Sequence, residues 1–467
     1  MKKMAVLLAS ALLFASAAGL AGCGGGGAKN QSLFIAFENS GYGDAWMNAM
    51  VEGFRAEHPE ADIRVEGDAQ LHTKVLRELT DASEGWDIIF TQGVVWNSYA
   101  ASGKLANLND VYASTDEEGR TLEQRMLPNI VKFGETLGPD GTKGYYSFPY
   151  GLSVMGIVYN VEMFEHYRWQ IPETYDELLT LCQRIKRDTT REPWQTKDGE
   201  SVQVAPFTYP GQHPDYWRAV TYPWSAQYDG IDTFEGFYEY TDKASFYTAG
   251  RLESLKALEG LNIEGTGSDR NALEGTMSKD HLASQTDFAL GYAAMIPNGS
   301  WVETEIAKSL DNVYEMAMMP PIALDEAHAD SAFWSNNSNH VLIPSASPNV
   351  ELAKEFLKYV CEKENAFRIT ELSNSFMPLD YDYSEIAGNM TSFGKSVLEI
   401  WNNSYCLVGV STNPMRTYDI GEDWPGVTEP CALIMQGVSA EEVMRRVETY
   451  TSDNWDRWVE EVENLFR

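Results

Sequence analysis

"WDIIFTQG", Trp86–Gly93, decides how the N-terminal part of this chain is read. Ile88, Ile89, Phe90 and Thr91 are uncharged and favour an extended backbone. A run this short, bounded by turn formers, predicts a buried strand that breaks into a loop at Gln92-Gly93. The preceding segment, "LHTKVLRELTDA" (71–82), has apolar residues at helical spacing. Before it, "DIRVEG" (62–67) reads as a strand. A helix from about Trp46 to Glu57 ends at His58-Pro59, and "SLFIAF" (32–37) reads as the first strand. Strand, helix, strand, helix, strand predicts an α/β fold with a parallel sheet covered by helices. Ligands in such sheets sit outside the carboxyl ends of the strands, which are Glu38-Asn39, Gly67-Asp68 and Thr91-Gln92.

The pattern continues toward the C-terminus. "GYYSFPYGLSVMGIVYNVEMFE" (144–165) contains a strand at Met155–Tyr159. "IPETYDELLTLCQRIKRD" predicts a helix with Pro172 near its start and Glu173 and Asp176 in its first turn. Residues 191–250 are aromatic-dense and turn-rich, as in "FTYPGQHPDYWRAVTYPWSAQYDG". "LESLKALEGL" reads as a short helix. In "GYAAMIPNGSWVETE" (291–305) an apolar strand stops at Pro297-Asn298-Gly299-Ser300, and Trp301 opens a helical segment. "EMAMMPP" (315–321) and "ADSAFWSNNSNHVLIP" (329–344) hold further strands. "NVELAKEFLKYVCEKENAFRITEL" predicts one long amphipathic helix, and the tail is mostly helical.

The N-terminus has the form of a secretory signal. Lys2 and Lys3 precede an apolar stretch, Met4 to Leu20, that is short for a membrane span. It ends in Leu20-Ala21-Gly22-Cys23, which resembles the bacterial lipobox. Residues 1–22 are expected to be a lipoprotein signal peptide, and 23–31 a lipidated Cys23 and Gly-rich tether. The expected location is the extracytoplasmic side of the cell membrane, held by lipid. Thirty-five basic against 69 acidic residues give a net charge of −34. Such a surface repels nucleic acid and anionic lipid. Besides Cys23 there are four cysteines. Cys182 and Cys361 look like buried apolar residues, whereas Cys406 and Cys431 could pair in an oxidising compartment. None forms a metal-type pair, and no metal or cofactor is expected. Thirteen tryptophans are many for a soluble protein; many should be core, and a surplus is what a sugar-binding surface would use.

Five segments, in order, resemble the extracellular solute-binding proteins of ATP-driven carbohydrate importers, the group that includes maltose-binding protein. They are "WDIIFTQGVVWNSYAASGKLANLND", "FPYGLSVMGIVYNVEMFE", "PETYDELLTLCQRIK" (with Tyr175 where the family has Trp), the stretch ending in Gly299-Ser300-Trp301, and "SNHVLIPSASPNVELAKEFLKYV". The resemblance implies a two-lobed periplasmic-binding-protein fold with a hinge and an interlobe cleft. Lobe one would be 31–148 plus 333–377, and lobe two 149–332 plus 378–467. It also implies a monomeric, non-enzymatic binding component of an ABC transporter, with a sugar or oligosaccharide as ligand and a membrane permease as partner.

A sugar ring needs an aromatic plate for its C–H face and polar partners for its hydroxyl rim. The family's Gly-x-Trp tryptophan stacks on sugar and matches Trp301, with Asn298 on the same turn. The aromatic segment that faces the family's cleft matches Tyr216 and Trp217, with Trp224 a further candidate. Glu38, Asn39 and Tyr42 follow the first strand, and Gln92 and Trp96 follow the third. Tyr150 and Ser153 lie at the first crossing between lobes. Trp334, Asn336 and Asn337 lie at the second, and Trp424 in the tail. Where maltose-binding protein carries charged contacts after the third strand, this chain has Thr91-Gln92-Gly93-Val94-Val95-Trp96. That departure speaks against maltodextrin. "IPNGSWVETEI" is similar to binding proteins for N-acetylglucosamine and its oligomers. Two other readings stay open. One is a surface-anchored glycoside hydrolase, which needs two carboxylates across a cleft. The other is a binding protein for a cationic molecule such as a polyamine, marked by Glu38 and Asp68.

Overall fold

The computed structural model describes residues 32–265, 269–335, 339–409, 413, 415, 426 and 430–465. The expected signal peptide, Cys23, the tether, Asn336, Asn337 and Trp424 lie outside these residues.

Two sheets organise the chain. The first has the order Asp62–Gly67, Ser32–Phe37, Ile88–Gln92, Asn339–Leu342, Phe148–Pro149. Its first three strands are parallel, with Ile35 opposite Ile88 and Phe37 opposite Phe90. The parallel pairing follows from the helices Ala45–Glu57 and His72–Asp81, which carry the chain back between strands. Trp46, Met50 and Phe54 recur every four residues on the first helix, so one stripe of it packs on Leu33, Ile35 and Phe37. Asn339–Leu342 then joins antiparallel to Ile88–Gln92.

The second sheet has the order Ala205–Phe207, Ala293–Gly299, Met155–Asn160, Ala332–Ser335, Tyr405–Val408, and Met316–Met318 also pairs with Met155–Asn160. Its strands Ala293–Gly299 and Ala332–Ser335 are buried on both faces, while the edge strand Tyr405–Val408 is partly exposed. All seven residues of Ala293–Gly299 are inaccessible, which explains the uninterrupted apolar run at its start. The chain is still in this sheet at Ser335 and has entered the first sheet by Asn339. Another crossing is tied by Leu152 and Phe376, which exchange backbone hydrogen bonds of 2.7 and 2.9 Å.

Three local expectations change. The long helix over 349–372 is two helices, Val350–Val360 and Lys363–Ser373. The carbonyl of Cys361 is drawn out of the helical ladder and accepts from Arg125 Nη1 and the Tyr381 hydroxyl. Pro172 stands outside the helix Tyr175–Arg191, which starts instead at Thr174, whose hydroxyl accepts from the Glu177 N–H. Cys406 and Cys431 do not pair; they are free thiols, as are Cys182 and Cys361. Among the described residues no helix is long and apolar enough to cross a membrane.

Candidate functional site

The loop Glu38–Asp44 leaves the first sheet and meets the end of Ala293–Gly299 and the helix Val302–Ala307 from the second. Lys308 Nζ donates to the Asn39 carbonyl at 2.8 Å, so a cation of one lobe is bound to the backbone of the other. Gly41 and Gly43 have φ of +66° and +72°. A Cβ on Gly41 would sit 3.3 Å from Trp301 Cβ, and one on Gly43 would sit 3.2 Å from Thr304 Cγ2. The positive φ and the close approach both call for glycine.

Trp301 is partly buried and touches apolar side chains of both lobes. Its ring meets Tyr42 edge-on at 6.4 Å and Tyr216 edge-on at 6.2 Å. It occupies the residue before the helix Val302–Ala307, immediately beyond the strand end. A turn there aims the indole between the lobes, whereas a position within the strand would have sent it into the core.

Polar groups collect around these rings. Glu38 is buried at 3% exposure and accepts from Gln92 Nε2 at 3.2 Å and Thr91 Oγ1 at 3.4 Å, with His72 Nδ1 2.6 Å away. Gln92 Nε2 also donates to Ser40 Oγ at 3.1 Å. The Tyr42 hydroxyl lies among Ser153, Asn339 and Ser375, which come from three inter-lobe segments. Burial raises its pKa, and burial also raises that of Tyr216, reinforced by Glu305 and Asp215. Both phenols therefore remain hydrogen-bond donors at neutral pH. Glu305, buried one turn after Trp301, accepts from Gln285 Nε2 at 2.7 Å. Asn298 Nδ2 and Ser300 Oγ are buried at the strand end and find no partner among the described residues. Trp217 Nε1, Trp334 Nε1 and Thr451 Oγ1, deep in the second lobe, are unpartnered as well, so an ordered water would satisfy such atoms as readily as a ligand.

The structure thus brings Glu38, Asn39, Tyr42, Gln92, Ser153, Tyr216, Asn298 and Trp301 to one junction. Tyr150 is adjacent but interior, stacked on Trp46 at 5.8 Å. Four tryptophans belong elsewhere. Trp96 is buried in the first lobe, 5.7 Å from His340. Trp217 is enclosed by Phe207 and Tyr209, and Trp224 is buried with its indole N–H on the Ile322 carbonyl. Trp334 is walled in by Tyr222, Phe234 and Tyr238. Each fills the core of its lobe, so the expectation that they line the cleft is corrected. His72, Ser40, Ser300, Asn339, Ser375 and Glu305 were missed. Ser300 stood beside Asn298 in the turn and Asn339 ended "FWSNNSN"; the others carry no local signal.

Among the described residues no group of three or more His, Cys, Asp or Glu could hold a metal ion. The site offers an aromatic plate, two buried carboxylates, phenols, amides and hydroxyls. That set recognises a hydroxyl-bearing ligand by hydrogen bonding.

Comparison with known proteins gives the same architecture. The apo form of RafE from Streptococcus pneumoniae superposes with a TM-score of 0.62 at 14% identity, covering 91% of this chain and 98% of that one. RafE in complex with raffinose gives the same score and covers 90% of this chain and 99% of that one. The diacetylchitobiose binding protein NgcE of Streptomyces coelicolor is 21% identical over 357 residues, 73% of this chain and 68% of that protein. The xylose/arabinose-binding protein XacG of Haloferax volcanii is 25% identical over 274 residues, 56% of this chain and 51% of that protein. Residues 49–379 match the model of a family of solute-binding proteins, whose role is capture and not catalysis. With its two α/β lobes and the junction between them, this chain belongs to the bacterial extracellular solute-binding proteins.

Proposed function

We propose that this protein is the substrate-binding component of an ABC importer and captures a sugar or oligosaccharide in the junction between its lobes. The observation that carries the reading is Trp301, a half-buried indole between the lobes, flanked by Tyr42 and Tyr216 and by buried polar groups. An indole face supports the C–H face of a pyranose, and the surrounding groups serve its hydroxyls. The relatives are named for diacetylchitobiose, for xylose and arabinose, and, over a 58-residue stretch at 40% identity, for alpha-glucosides. N-acetylglucosamine oligomers are the first ligands to test. Closure about the crossings near Leu152, Ser335 and Phe376 would present the loaded protein to a permease, with Cys23 as the lipid anchor. For the lobes we start from 31–148 plus 333–377 and 149–332 plus 378–467, and move the start of the return segment from 333 to beyond Ser335, because Ala332–Ser335 pairs within the second sheet and Asn339–Leu342 within the first.

A thermal-shift screen over neutral sugars, N-acetylated sugars and polyamines tests the proposal, followed by calorimetry on the class that responds. The expected result is stabilisation by one saccharide class, recovered chemically intact. A shift with polyamines alone, or hydrolysis of the saccharide, overturns it.

A further inference from the structure

The lobes also meet along a seam that does not include Trp301. The turn Val131–Gly134 of the first lobe faces the helix Ile231–Tyr238 of the second. Lys132 Nζ donates to Glu239 Oε1 at 3.0 Å across the seam. The Tyr405 hydroxyl, from the second lobe, donates to Glu235 Oε1 at 2.9 Å and lies beside the Asn129 amide of the first. Asn129, Lys132, Phe133, Glu235 and Glu239 line a cavity of about 20 Å³, room for about one water. A sugar ring does not fit there, so the seam is a contact between lobes and not a place for a ligand.

We propose that Lys132 and Glu239 form an ionic clasp that favours the closed arrangement of the lobes, so that capture of an uncharged ligand depends on ionic strength; the proposal rests on the two-lobed capture reading above. Acidic residues outnumber basic ones in each lobe, so the lobes repel as they approach. Lys132 sets a cation against that repulsion where the second lobe presents Glu235 and Glu239 one helical turn apart. Glu239 also stands at the carboxyl end of its helix, where the backbone dipole disfavours an anion, and the ammonium group offsets both effects. Each partner is fixed to the frame of its own lobe, so opening must part them. The pair is partly shielded, with side-chain exposures of 43% for Lys132 and 18% for Glu239, so salt still reaches it. A neutral sugar has no charge of its own to screen, so a salt effect on its affinity reports on the lobes.

The test is calorimetry with the saccharide that responds in the screen, at low salt and at about 1 M salt, where the Debye length is about 3 Å. At low salt Lys132→Gln should weaken binding about 1.5- to 5-fold, the range for a partly exposed ion pair. Lys132→Glu sets a third carboxylate at the seam and should weaken it further. At high salt both variants should match the wild type within about 1.5-fold, because the clasp and the repulsion are screened alike. Equal affinities at low salt overturn the clasp, as does a loss that persists undiminished at high salt, which would mark Lys132 as a packing or ligand contact. If no saccharide binds the wild-type protein, the carbohydrate reading falls alone, and small-angle scattering by the ligand-free chain decides the clasp. Lys132→Glu should then be more extended than the wild type at low salt and alike at high salt; identical profiles at low salt overturn the proposal.

Discussion

Replacing Trp301 by Ala separates a ligand plate from a core residue. A Trp side chain can bury about 200 Å². One face of the ring is roughly a third of that, about 70 Å², and at about 25 cal/mol per Å² its loss from a sugar contact costs about 1.7 kcal/mol. The dissociation constant should rise roughly 20-fold. The stability cost should be smaller than for an interior Trp. Trp301 is only partly buried, its aromatic contacts are two edge-on pairs with Tyr42 and Tyr216, and the rest of the indole lies against the glycines Gly41 and Gly299. Such pairs contribute about 0.5–1.5 kcal/mol each, so a total near 2 kcal/mol is expected, against roughly 3–5 kcal/mol for a fully buried aromatic. Trp224→Ala is the control, since Trp224 is enclosed and hydrogen-bonded to Ile322. Calorimetric titration with the responding saccharide gives the affinities, and urea melts give the stabilities. If Trp301→Ala loses more than about 3 kcal/mol of stability yet binds normally when folded, the indole is a core element and the reasoning fails.

Three further outcomes follow from single groups. Burial pushes His340 down from 6.5 to about 4, so the unfolded chain binds the extra proton between those values. Stability should be full above about pH 6.5 and fall by up to about 3 kcal/mol toward pH 4; His340→Gln should flatten that slope in urea melts, and an unchanged slope refutes the assignment. Glu38→Gln keeps the shape but removes the charge that Gln92 and Thr91 address, and should weaken saccharide binding about tenfold with a melting change of only a few degrees; unaltered calorimetry would remove Glu38 from the site. Gly41→Ala puts a methyl at positive φ against Trp301, about 1–2 kcal/mol against the apposed lobes, and small-angle scattering should report a more extended particle; an unchanged profile and affinity would count against that contact.

Most of the longer strands were legible because they are runs with a strong local signal, whereas Phe148–Pro149, Ala205–Phe207 and Tyr405–Val408, the last in a tail that reads as mostly helical, are too short to show one. Ser32–Phe37 and Asp62–Gly67 begin and end where the sequence places them, and the strand-end rule put Glu38 and Gln92 side by side at the sheet edge, where their side chains meet. The helix Arg218–Asp229 was not legible. Nine of its twelve residues are buried and Pro223 lies inside it. A helix enclosed on all sides has no amphipathic stripe, so its aromatics and proline read as loop. The same enclosure explains why Trp217 and Trp224 passed for cleft residues. Trp334 sits in a four-residue strand beside the polar run Asn336-Asn337-Ser338 of the sequence, and nothing in that spacing shows that Tyr222 and Phe234 will close over it. His72 escaped for a different reason. Its relation to Glu38 is made across 34 residues, by the helix His72–Asp81 starting just beyond the adjacent strand.

The placement of polar groups bears on selectivity. Asn298 Nδ2 and Ser300 Oγ have no partner among the described residues, at a cost of about 1–3 kcal/mol each when buried. A ligand that supplies their partners recovers that cost, and one that lacks the matching group does not. If these two atoms meet the ligand, discrimination should be steep against saccharides that lack the group they address, and Asn298→Leu should flatten it in calorimetry. Glu305 adds to this selectivity. Its carboxylate is buried one turn beyond Trp301 and is addressed by the neutral Gln285 amide, so it favours a ligand donor over a ligand acceptor in its vicinity. A neutral sugar can donate to this carboxylate from a hydroxyl or from an acetamido N–H, whereas a uronic acid would set carboxylate against carboxylate. The two buried carboxylates, Glu38 and Glu305, should therefore disfavour acidic sugars and accept neutral ones that place a donor on them.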